Sequence, residues 1–167
     1  MNPSYARIKL PLEDAIQQFA VWLNWPFPEV RIWVDATEAI KLACDSQGQW
    51  HGPAVFVYHK NDWTLFEDMT GFLGSRSTKD WLKFAGPHDL VFAGYNDAIQ
   101  YAELIAIVGA EIVQDFFFDS SEPLLSRNNG TGLVHADSWI DIATFVDEDD
   151  LAHSNTGLLW QPSQGAL

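Results

Sequence analysis

An α+β fold, in which a mainly antiparallel, twisted sheet carries helices packed on one side, is predicted by three observations. Apolar stretches of helical and of strand character alternate irregularly, and no strand–helix–strand unit repeats. Successive strand-like runs are joined mainly by short turns, which makes neighbours antiparallel. No glycine-rich phosphate loop follows a strand, so the chain does not read as a doubly wound nucleotide-binding sheet.

The elements follow in order. Leu12, Ala15, Ile16, Phe19 and Leu23 share one helical face, and Pro26 and Pro28 stop that pattern, so a helix is expected from about Leu12 to Leu23. A second is expected over Ala36–Cys44, with Asp35 as its cap and Glu38 three residues on, as in a capping box. The turn-rich "DSQGQWHGP" ends it. "PAVFVYH" is apolar on both alternating faces and suits a strand covered on both sides; His59 to Asp62 form a hairpin loop into "WTLFE". "STKDWLKFA" reads as a short helix with Trp81, Phe84 and Ala85 inward, and "DLVFAGY" as another strand. In "YAELIAIV-GA-EIVQDFFF" the glycine-first two-residue loop matches a type II′ hairpin. "DSSEPLLSRNNGTG" reads as loop, and "SWIDIATFVDEDD" resumes helical spacing with Ser138 and Asp141 as a capping pair. The 167 residues make a single domain, with about 155–167 as a weakly packed tail.

Composition narrows the function classes. With 47% hydrophobic residues and eight tryptophans the chain buries a core, while its longest apolar runs, such as "LIAIV", fall far short of the ~20 residues that span a bilayer. The start, "MNPSYARIKLPLEDA", has no apolar segment of the signal-peptide kind. The single cysteine, Cys44, sits among apolar residues and reads as a small buried hydrophobe. A cytoplasmic location is the expectation. A formal net charge of −14 argues against nucleic-acid and anionic-membrane partners and suits a basic one.

Few residues have a pattern that carries chemistry. His51, His59, His88, His135 and His153 lack metal-ligand spacing, and "GSRS" is not a nucleophile elbow, so neither metal nor cofactor is expected. Glu67 and Asp68, neighbours at the end of a strand, point to opposite faces unless the chain turns there. They read first as turn anchors, then as a docking face, and last as an acid/base pair. Tyr95, Asn96 and Asp97 in "GYNDA" combine turn chemistry with an amphipathic aromatic. Asp147, Glu148, Asp149 and Asp150 lie at the expected end of the last helix, where negative charge opposes the helix dipole. Core filling accounts for most of the tryptophans, although Trp25 and Trp50 fall in loops.

The segments "DWTLFEDMTG", "LVFAGYNDAIQYAELIAIV" and "SWIDIATFVDEDDLAHSNTG" resemble small acidic bacterial proteins found among the immunity proteins of polymorphic toxin systems. The resemblance covers about residues 50 to 157. It implies an α+β fold and stoichiometric binding to a toxin domain, without catalysis or cofactor, and it transfers no functional residue. The expectation is therefore an acidic binding protein that occludes a basic toxin through Glu67, Asp68, Tyr95, Asn96, Asp97 and Asp147 to Asp150. The alternative is a small-molecule-binding or hydrolytic domain in a groove between sheet and helices, using Glu67 or Asp68 with a nearby histidine. A structural or regulatory interaction protein, including a homodimer, is the third reading.

Overall fold

The structure, a computed structural model, describes residues 4–28, 31–74, 76–130, 140–144 and 156–162. Among the described residues nine antiparallel strands form one sheet: β1 (Ser4–Ile8), β2 (Ile32–Asp35), β3 (Val55–Lys60), β4 (Trp63–Asp68), β5 (Leu90–Asn96), β6 (Tyr101–Val108), β7 (Glu111–Asp119), β8 (Arg127–Gly130) and β9 (Thr156–Trp160). Their order across the sheet is β2-β9-β3-β4-β1-β5-β6-β7-β8. The helices are α1 (Leu12–Leu23), α2 (Ala36–Ala43) and α3 (Thr78–Ala85); a short 3-10 turn spans Pro123–Leu125, and residues 140–144 are helical. The α+β class and the antiparallel sheet are as the sequence predicts.

Local chemistry sets the helix ends. α1 stops at Asn24, which takes the left-handed conformation (φ 55°), and the Trp25 N–H then reaches back to the Ala20 carbonyl. That is a Schellman closure, which also turns the Trp25 ring into the core. Asp35 caps α2 by accepting from the Glu38 N–H at 2.8 Å, and Ser77 caps α3 by accepting from the Asp80 N–H at 3.2 Å.

The two faces of the sheet are covered differently. α1 and α3 lie over one face, where Ala6, Val57, Phe66, Phe92, Ile105 and Leu158 meet Ile16, Phe19, Trp81 and Phe84. Phe19 is the hub: its ring stacks on Phe66 at 4.2 Å and meets Phe84, Trp25 and Trp160 at 5.5 to 5.8 Å. α2 departs from the one-sided arrangement and packs its alanines against Phe56, Tyr58, Leu65 and Leu159 on the opposite face. Ile142, from the 140–144 segment, joins Tyr5, Val91, Leu104 and Phe116 further along that same face.

Several expectations need correction. Of the tail expected over about 155–167, 155 and 163–167 lie outside the described residues; Thr156–Trp160 forms β9, inserted between β2 and β3 with Leu158 and Trp160 buried. Gly157 permits this, because a Cβ there would come within 2.6 Å of the Phe56 ring. β1 enters between β4 and β5, and Arg127–Gly130, expected as loop, pairs with β7. The β3–β4 loop is only Asn61–Asp62, since His59 and Lys60 remain paired. Gly109 and Ala110 both have positive φ (54° and 69°), the signature of a type I′ rather than a type II′ turn, whose twist suits the flanking strands. Cys44 is half-buried and bridges to Trp50. Ser138, Trp139 and the run Asp147 to Asp150 lie outside the described residues.

Candidate functional site

Antiparallel pairing gathers Glu67, Asp68, Tyr95, Asn96 and Asp97 at one end of the sheet, where β1 starts and β4, β5 and β7 finish. Glu67 lies opposite Tyr5, and Tyr5 opposite Ala93, so Glu67 and Tyr95 share one face, separated by β1. Both are half-buried, and Tyr95 packs against the cluster around Val91 and Ala93.

Asp68 has a different role from its neighbour. Strand alternation turns it inward to 1% exposure, so it cannot contact a partner. Its Oδ1 accepts from the N–H groups of Thr70 (3.1 Å) and Gly71 (2.8 Å), and its Oδ2 from the Leu73 N–H (2.7 Å) and the Ser4 hydroxyl (3.5 Å). Burial pushes its carboxyl above the usual range, against the opposing pull of backbone N–H groups from Leu73, Thr70, Gly71 and Phe72. Asp68 therefore anchors the loop after β4.

The β5–β6 turn and the segment after β7 form the exposed part of this end. The Asn96 side chain accepts from the Ala98 N–H at 3.1 Å, and the Asp97 carbonyl accepts from the Gln100 N–H at 3.3 Å, which leaves the Asp97 side chain outside. Ser120 fastens the second segment to the first: its hydroxyl donates to the Ile99 carbonyl at 2.6 Å and its N–H to the Gln100 carbonyl at 3.2 Å. Asp119 accepts from both the hydroxyl and the N–H of Ser121 at 2.7 and 2.8 Å, led by the hydroxyl, and these bonds hold its carboxyl below the ordinary range. The chain then turns through Pro123–Leu125. Three aliphatic side chains emerge beside Asp97, Asp119 and Glu122: Ile99 at 54%, Leu124 at 98% and Leu125 at 56% exposure.

Charge distribution singles out the same region. From residue 84 onward the chain has thirteen acidic residues and one basic, Arg127; before it there are ten acidic and eight basic. The first part of that acidic stretch builds β5 to β8, one wing of the sheet. Arg127 is committed within the wing, donating to Asp115 at 2.7 Å and lying 4.9 Å above the Phe117 ring. Asp115 accepts in addition from the Thr78 hydroxyl at 3.2 Å. Glu67, Tyr95 and Asp97 were legible in the sequence as candidates; Ile99, Asp119, Glu122, Leu124 and Leu125 were not singled out. The long stretch without lysine or arginine between Lys83 and Arg127 is the signal that could have found them.

A second feature is a surface groove of about 740 Å³ between α1 and the end of α3, lined by Leu10, Asp14, Val21, Trp22, Lys83 and His88 among others. It contains neither Glu67 nor Asp68. The space between the sheet and α1 and α3 is filled by the aromatic core. No histidine is among the hydrogen-bonding partners given above for Asp68, and His59 contacts the Thr64 hydroxyl at 3.0 Å. Among the described residues no cluster of three or more His, Cys, Asp or Glu side chains could hold a metal ion, and no helix is long and apolar enough to cross a membrane. Compared with known proteins, the chain matches no family model, no curated sequence and no solved structure.

Proposed function

We propose that this chain is an acidic protein-binding domain that inhibits a basic partner by occlusion, the partner being a toxin domain, in a bacterial cytoplasm. The observation that carries this reading is the union of Asp97, Asp119 and Glu122 with exposed Ile99, Leu124 and Leu125 on a hydrogen-bonded scaffold. Aliphatic anchors ringed by like charges fit an interface whose carboxylates steer encounter while the apolar groups supply the contact area. The scaffold is set before binding, which limits the ordering cost.

Titration against any basic domain encoded beside this gene, at about 50 and about 300 mM salt, tests the proposal. Affinity is expected to fall at least about tenfold with salt. Asp97→Lys, Asp119→Lys and Glu122→Lys together are expected to slow association, and Leu124→Ala to speed dissociation. Absence of binding at low salt, or binding indifferent to both sets of substitutions, would refute it. A second reading, small-molecule binding, is favoured by the α1–α3 groove, where Asp14, Gln17, Gln18, Lys83 and His88 rather than Glu67 or Asp68 supply the polar groups.

A further inference from the structure

Two of the arginines are committed to carboxylates of this chain, Arg31 to Glu13 and Arg127 to Asp115. Arg76 holds none, although the chain has 23 acidic residues. Among the described residues its guanidinium makes no hydrogen bond and no ion pair, and its Nε–H is buried without an acceptor. The group lies 4.9 Å from the centroid of the Trp22 ring, a contact that supplies no acceptor in the plane of the fork. Buried donors in this condition are rare in native proteins, because each costs its desolvation in full and a charged one costs most. Trp81, wholly buried with its ring 5.1 Å from that of Trp22, has an indole N–H that also lacks an acceptor.

We propose that Arg76 is the anion-binding end of a small-molecule site, which takes a ligand with one carboxylate and an apolar body. The carboxylate accepts from the Arg76 Nε–H and a terminal N–H, and the body runs along the Trp22 ring into the α1–α3 groove. Trp22 joins the two parts, since its ring carries Arg76 and also lines the groove. The groove's volume of about 740 Å³ lies within the range usual for small ligands, and Leu10, Val21 and Trp22 offer its apolar contacts. This inference rests on the small-molecule reading of the groove, which it narrows to one ligand class, and is independent of the docking end.

Local charge selects an anion. From Arg76 to Lys83 the chain has three cations, Arg76, Lys79 and Lys83, against the single acid Asp80. Asp80 is already held, accepting from the Ser77 hydroxyl at 2.9 Å and pairing with Lys83 at 3.5 Å. Asp14 is the one acid among the residues that line the groove, where Lys83 and His88 also stand. Three cations therefore face two acids, in a chain whose net charge is −14. That net charge works against a ligand with several negative charges, so a monocarboxylate is favoured over a phosphate. The planar fork of an arginine also matches a carboxylate in a way that the point charge of a lysine does not.

Nitrogen–proton correlation NMR of the full chain, which reads the Arg76 Nε–H and the backbone amides of the groove, is the test. The probes are phenylbutyrate, phenylbutanol and phenylbutylamine, which share one body and differ in charge. Phenylbutyrate is expected to shift the Arg76 Nε–H and the amides of Val21 and Lys83 saturably below about 10 mM. Phenylbutanol should bind at least about tenfold more weakly, and phenylbutylamine no better than the alcohol. Arg76→Gln should weaken phenylbutyrate by at least about tenfold, with the alcohol's affinity and the far-UV circular dichroism unchanged. Val21→Glu, at an exposed position on the groove wall, should weaken the acid alone by like-charge repulsion. Equal binding of acid and alcohol, tightest binding of the amine, or parental affinity for the acid in both variants would overturn the proposal, while saturable shifts of the groove amides would leave the small-molecule reading standing. No saturable shift with any of the three probes would overturn both.

Discussion

Replacing Asp68 by alanine removes the acceptor for three backbone N–H groups and one hydroxyl at a single point. The Leu73 N–H bond is buried, so its loss costs about 1–3 kcal/mol; the Thr70 and Gly71 bonds are partly exposed and cost about 0.5–1 kcal/mol each, since water can replace the carboxylate. Relief of the buried charge offsets part of this. We expect a net loss of about 3 kcal/mol at pH 7, which for a 167-residue chain lowers Tm by about 6–12 °C.

The same residue sets a pH dependence of known sign. Its carboxyl is raised above 3.8, so between that value and its folded pKa the folded chain keeps a proton that the unfolded chain has released. The stability Asp68 contributes is complete below the unfolded value and declines as pH rises through the folded one. The deficit of Asp68→Ala relative to the parent should therefore be larger near pH 4 than at pH 7. Asp45, Asp80 and Asp119, with lowered values, act in the opposite sense: their contribution is present above the unfolded pKa and lost as pH falls through the folded one. Comparing variant and parent at each pH cancels them. Urea unfolding followed by tryptophan fluorescence measures both quantities. A deficit below about 1 kcal/mol at pH 7 would refute the anchoring role, and one that shrinks on acidification would refute the upward shift of the carboxyl.

Three further outcomes follow from packing. Phe19→Ala, at the hub of the aromatic core, should cost about 3–5 kcal/mol in chemical denaturation. Gly157→Ala drives a methyl into the Phe56 ring and toward the Val57 carbonyl (2.8 Å); a loss of at least about 2 kcal/mol is expected, and Phe56→Leu should restore part of it. Arg127→Met removes both the guanidinium above the Phe117 ring and the partly exposed ion pair with Asp115, so the loss should be about 1 kcal/mol and should diminish as salt rises.

The docking end was only partly legible in the sequence. Period-two alternation separates Glu67 from Asp68 onto opposite faces, yet which face is interior depends on where α1 and α3 pack, a long-range matter. The exposure of Leu124 and Leu125 has no sequence signature, because an isolated "PLL" reads equally well as core. Ser120 reaches Ile99 just beyond the Tyr101–Asp119 pair that ends the β6–β7 hairpin, a contact set by the register of that hairpin.

By itself the sequence determined what rests on neighbours a few residues apart. The limits of α1 follow from its apolar spacing and its proline stop, and the start of α2 from Asp35 and Glu38. The long hairpin follows from two strands about a tight turn, and the acidic surplus from counting. Tertiary structure alone decided the rest: β9 placed between β2 and β3, β1 between β4 and β5, and polar Arg127–Gly130 recruited as a strand. It likewise settled that Asp68 is an interior anchor and that Arg127, alone among thirteen acids, pairs with Asp115. Helix caps and hairpin turns close short loops at small entropic cost, so their stabilising contacts are written in adjacent residues. Pairing β9 with β3 closes a loop of nearly a hundred residues, and its gain comes from burying Leu158 and Trp160 against groups that only the assembled sheet brings near.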